Sequence, residues 1–128
     1  EGYYGVFTAN MHTDVAQIPQ DDAIVASAIE RGVPVVSARQ VLKWLDGRNG
    51  STFGSLSWSG STLSFTVTAA AGSRGLLVIL PTAGPAGNLS GVTLNGAPVT
   101  IATTVIKGLS YATFPAGLGT YQASYTAP

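Results

Sequence analysis

From Leu56 to Tyr125 apolar and polar residues alternate in short runs, each closed by a turn signal. That period of two constrains the fold more than any other feature of the chain. The runs are Leu56–Trp58, Leu63–Val67, Leu76–Leu80, Val92–Leu94, Val99–Ile101, Tyr111–Phe114 and Tyr121–Tyr125. Between them stand Ser59-Gly60, Ala71-Gly72-Ser73, Pro81 to Gly87, Asn95-Gly96, Lys107-Gly108 and Pro115 to Gly119. Asn95-Gly96 is the strongest hairpin signal, because both positions tolerate positive φ. Pro98 marks an edge strand, since proline cannot donate to a ladder. About seven short strands at roughly 8–12-residue spacing predict an antiparallel β-sandwich. Phe65 shares parity with Leu63 and Val67 and belongs to the core, and Tyr121 and Tyr125 share a face as packing tyrosines.

The front of the chain reads differently. Gly5 to Met11 is a mostly apolar run ending at His12-Thr13-Asp14, which suits a buried strand with polar groups at its tip. Pro19-Gln20-Asp21-Asp22 starts a helix, its carboxylates near the positive end of the dipole. Ala23 to Arg31 continues it, and Gly32 stands where a left-handed cap is expected. Val33 to Val36 is a second apolar strand, Ser37 to Gln40 fits a capping box, and Val41, Leu42, Trp44 and Leu45 form one face of a second helix that Gly47 to Gly50 ends. The fold class is therefore α+β, a short β-α-β-α segment (1–52) followed by the sandwich (53–128). Two parallel strands cannot stand alone. Residues 1–52 thus read as the last slice of a larger α/β sheet or barrel, and the unpaired edge of residues 5–11 predicts self-association.

No Asp, Glu, His or Cys occurs between Phe53 and Pro128, so the sandwich lacks the side chains that move protons or hold metals near neutral pH. All six acids and the single histidine precede Phe53. Zero cysteines exclude a disulfide framework but leave the compartment open. A net charge of zero without a basic cluster excludes a nucleic-acid surface. No apolar run reaches the roughly 18 residues of a membrane span. Only 9% of residues are charged, against roughly 25% in an average soluble protein. That composition suits a secreted or cell-surface bacterial module with a hydroxyl-rich exterior. The chain opens on Glu1 without an initiator Met or signal peptide, as expected of a piece of something longer.

The apolar strand ending in His12, the loop and helix, and then Ile29-Glu30-Arg31-Gly32-Val33-Pro34-Val35-Val36-Ser37 with a closing helix resemble the C-terminal end of the polysaccharide deacetylase (NodB-homology) barrel. The resemblance covers about 45 residues and one catalytic motif. It implies that His12 is the parent's general acid, protonating the leaving amine, and that the parent is a metal-dependent deacetylase using a divalent cation. The family's Thr-Phe-Asp-Asp and His-x-x-x-His motifs do not occur here, and Thr13 separates His12 from Asp14. Without those motifs no metal is held and no water activated. The fragment is therefore expected to carry no cofactor and to be inert by itself. More vaguely, Val92 to Val99, Gly108 to Phe114 and Gly119 to Tyr125 resemble the β-sandwich modules appended to secreted bacterial glycosidases and deacetylases.

Each candidate residue has a plainer reading. His12 is a retained catalytic acid or a hydrogen-bonded structural residue, and Asp14 orients that imidazole or caps the loop. Asp21 and Asp22 fit a helix start, and Arg39 and Lys43 a solvated face. Among the aromatics, pattern leaves Trp58 and Tyr111 as exposed platforms for stacking a pyranose. Asn88-Leu89-Ser90 matches a glycosylation acceptor by chance.

Two functions stand. The first is a non-catalytic C-terminal fragment of a secreted carbohydrate-active protein, its sandwich an accessory module for upstream domains and in contact with polysaccharide. The second is an autonomous carbohydrate-binding or adhesion module. An independent hydrolase is the least supported, because His12 has no nucleophile beside it.

Overall fold

Pro19 begins the first helix, α1 (Pro19–Glu30), because its missing N–H costs nothing in an opening turn. The computed structural model describes residues 6–11, 14 and 18–127. Asp21 and Asp22 lie in the first turn, and Gly32, at φ +65°, ends the helix. Val33 N–H donates to Ala28 O at 2.9 Å and Gly32 N–H to Ile29 O at 3.0 Å, the paired bonds of a Schellman cap. No residue of α1 is buried.

The two expected front strands are not there. Residues 6–11 and 33–36 form no strand, and Phe7 is 92% exposed. Among the described residues their apolar runs pair with no strand, and Pro34 also lacks a donor. The β-α-β reading of this segment is therefore corrected to a helix flanked by irregular chain, and the self-association argued from residues 5–11 loses its structural premise.

The chain divides into two compact units, residues 1–37 and 38–128. The second helix, α2 (Ala38–Gly50), thus groups with the sheets, although a boundary at residue 52 was expected from sequence. The reason is close packing. Gly47 is buried inside the helix, and a Cβ there would run into the Ser73 amide nitrogen, while a Cβ at Gly72 would lie 2.9 Å from Lys43 O. Gly47 is a point of backbone approach inside the helix, and within the Gly47 to Gly50 segment expected to end it the last helical residue is Gly50. Ser51 Oγ donates to Gly47 O at 2.7 Å and accepts from Ala70 N–H at 3.0 Å. The Arg74 guanidinium lies 5.2 Å from the Trp44 ring centroid, a cation–π contact on the same seam.

Nine strands follow: β1 (Thr52–Ser59), β2 (Thr62–Thr68), β3 (Leu77–Pro81), β4 (Ala83–Gly84), β5 (Gly87–Leu94), β6 (Ala97–Pro98), β7 (Ala102–Ile106), β8 (Leu109–Pro115) and β9 (Gly119–Thr126). One sheet runs β1-β2-β9-β5-β4 with β6 also on β5, the other β3-β8-β7, and every pairing is antiparallel. Six of the seven expected runs form strands and three further strands appear. The two-residue β4 forms within the expected Pro81–Gly87 turn, and β6 and β7 flank the run at Val99–Ile101, which is a connection between them. Pro98 lies on the short edge strand β6, where its missing N–H is harmless. Asn95-Gly96 and Lys107-Gly108 take positive φ at both positions, closing β5–β6 and β7–β8 as two-residue hairpins.

The core lies between the sheets. Phe65, Val67, Val92, Tyr121, Ala123 and Tyr125 face in from one, and Val78, Leu80, Ala112 and Phe114 from the other. Tyr121 stacks on Phe65 at 5.0 Å and 7° and meets Phe114 at 5.6 Å. Full burial of each such side chain contributes roughly 1.5–3 kcal/mol. Their hydroxyls are satisfied: Tyr121 OH accepts from Gly117 N–H at 2.6 Å, and Tyr125 OH donates to Pro81 O at 3.0 Å.

Candidate functional site

Bulge geometry decides where the first platform residue points. Phe53 pairs with Val67 and Trp58 with Leu63, so both lie on the inward side of β1 although five positions separate them. A regular strand would send them to opposite faces. One extra residue between Gly54 and Ser57, with Ser55 at φ +49°, restores the parity. Trp58 then tilts against Tyr125 at 5.3 Å, and its Nε1–H donates to Gly60 O at 2.8 Å. At 41% exposure the ring keeps part of its surface in solvent while sealing that end of the core.

Tyr111 sits elsewhere. On β8 it alternates with the buried Ala112 and so lies on the outer face of the three-stranded sheet, opposite Thr104 of β7 and Pro81 of β3. Leu77, Ile79, Ile106 and Leu109 share this uncharged face and are exposed. Register therefore assigns Trp58 and Tyr111 to different surfaces, and they do not form one platform.

His12 lies outside the described residues. Asp14 is exposed and has an interaction partner of its own. Among the described residues no group of three or more His, Cys, Asp or Glu side chains comes together. The described residues by themselves offer no ligand set for the divalent cation that the resemblance implies for the parent. Among the described residues no helix is long and apolar enough to cross a membrane.

Sequence reasoning missed a groove of about 250 Å³ where the edges of the two sheets face each other. Phe53 and Val67 line it from one sheet, Leu77 and Val78 from the other, Ala116 from the β8–β9 connection, and Arg48 from the end of α2. Phe53 is held edge-on against Phe65 at 5.8 Å. Ser51 also reaches the groove, but its hydroxyl is committed to Gly47 O and Ala70 N–H. Arg48 makes one long hydrogen bond, Nη1 to Asn49 Oδ1 at 3.4 Å, and no ion pair with a described carboxylate. The sequence held one signal for this. Residues 38–128 carry five basic side chains (Arg39, Lys43, Arg48, Arg74, Lys107) against one acid, Asp46.

Comparison with protein-family profiles, with curated proteins and with solved structures returned no match.

Proposed function

We propose that residues 38–128 are a non-catalytic accessory module, a β-sandwich with its own helix, within a secreted or cell-surface carbohydrate-active protein of the polysaccharide deacetylase-like kind. The observation that carries the non-catalytic half of this reading is chemical: the unit contains Asp46 as its only acid and neither His nor Cys. Such a unit holds and positions but has nothing to relay a proton at neutral pH. The carbohydrate half rests on the sequence resemblance and on the hydroxyl-rich, weakly charged composition. On this reading His12 would be the acid of a deacetylase whose base and metal ligands are not among these 128 residues.

The test is an assay of the whole 128-residue chain for acetate release from N-acetylated and O-acetylated glycans, with Zn²⁺, Co²⁺ or Mn²⁺ added. No release above the buffer rate is expected. Turnover that survives His12→Ala overturns the reading.

One observation favours the second reading, an autonomous carbohydrate-binding module. Tyr111 lies on an uncharged outer face with the Thr104 side chain in register beside it, an aromatic platform with a hydroxyl neighbour. Affinity electrophoresis through insoluble polysaccharides separates the two: retardation lost in Tyr111→Ala with the fold intact selects the binding module.

A further inference from the structure

We infer that the groove between β1 and β3 is a binding site for a small organic acid, an apolar body of one ring's bulk ending in a single carboxylate held by Arg48. Three observations carry this. The walls are mostly apolar, Phe53, Val67, Leu76, Leu77, Val78 and Ala116, with Ser51 and Thr52 as the only lining hydroxyls. A polyol's desolvated hydroxyls would outnumber these partners and weaken binding, so a hydrocarbon body is favoured over a sugar. The volume of about 250 Å³ falls below the roughly 300–1,000 Å³ of pockets for drug-sized ligands, which limits the body to one ring or a short branched chain.

The third observation is charge. The Ser51 hydroxyl has given its proton to Gly47 O and Thr52 offers only a neutral hydroxyl, so Arg48 is the one charged lining side chain. A guanidinium presents a planar fork that matches a carboxylate with two parallel N–H···O bonds. It also lies in a unit with five basic residues and one acid, a balance that favours an anion over a cation. Cation at the lip and hydrocarbon within define an amphipathic monoanion. This site shares only Leu77 with the Tyr111 face and does not depend on the accessory-module reading.

The experiment is methyl-detected NMR titration of the full chain with phenylacetate, phenylacetamide and glucuronate. Phenylacetate is expected to shift the Val67, Val78 and Ala116 methyls saturably. The isosteric amide, lacking charge, should bind at least about tenfold more weakly, as the loss of a charge-assisted pair dictates. Arg48→Gln should bring the acid down to the level of the amide with the melting temperature unchanged. Ala116→Leu, which fills the groove, should abolish binding of both. The inference is overturned if acid and amide bind equally, if Arg48→Gln keeps its preference for the acid, if glucuronate binds as tightly as phenylacetate, or if no saturable shift appears up to the solubility of the probe.

Discussion

The indole of Trp58 lies tilted 41° against the ring of Tyr125, 5.3 Å between centroids, and the contact exists because a bulge three residues earlier turned β1 over. Trp58 therefore belongs to the end of the core before it belongs to any ligand surface. Trp58→Ala should lower unfolding free energy by about 1–2 kcal/mol, the worth of a half-buried aromatic and its ring contact. Urea denaturation followed by tyrosine fluorescence checks this. A variant as stable as the parent would show that the ring seals nothing.

Gly47→Ala reverses the usual sign. Alanine in a helix interior is ordinarily more favourable than glycine by about 1 kcal/mol. Here the new methyl meets the Ser73 backbone, which cannot move aside as a flexible side chain would. Overpacking of this kind costs about 1–3 kcal/mol, and a clash with backbone belongs at the upper end, so a net loss of up to about 2 kcal/mol is expected after subtracting the propensity gain. Thermal unfolding by circular dichroism reads it. A rise in melting temperature would mean that α2 can lift off the loop at little cost.

Tyr125 makes stability fall at alkaline pH. Burial pushes its phenol above the ordinary value of 10.0. The folded state therefore holds the proton more tightly than the unfolded chain does. Below pH 10.0 the contribution is fully present, and it is lost as pH rises through the unfolded value toward the folded one. Denaturant midpoints measured from pH 8 to about 12 should show this decline, and Tyr125→Phe should flatten it. An equal slope in the variant would assign the effect to other groups.

Thr93 on β5 carries a buried hydroxyl oxygen with no hydrogen-bond partner in the protein. Replacing it by a methyl removes an unsatisfied polar atom at nearly constant shape, and Thr93→Val should raise stability by about 1 kcal/mol. Differential scanning calorimetry tests the sign, and destabilisation would reveal a partner that the hydroxyl has in solution.

Alternation made the inner faces of β2 and β9 legible, because Phe65, Tyr121 and Tyr125 sit in unbroken strands where parity alone decides orientation. It failed on β1. The bulge there puts Ser55, and not the neighbouring Gly54, at positive φ (+49°), so Phe53 and Trp58 look antiphase from sequence. Gly47 was opaque for another reason: its purpose is set by Gly72 and Ser73, distant in the chain, and locally it is indistinguishable from a helix terminator. Val33 to Val36 has the composition of a strand but no pairing partner, which composition does not report. The groove was invisible because its walls come from a helix end, two strand edges and a loop. Only the surplus of cations after residue 38 hinted at it. The resemblance to a deacetylase barrel rests on residues 1–50, where the expected strands do not form.

Because Gly47 and Ser73 touch backbone to backbone, heredity has a seam to respect. A gene rearrangement cutting after the helix would strip the sheets of their seat, whereas one cutting before Ala38 would move helix and sandwich together as a transplantable cassette.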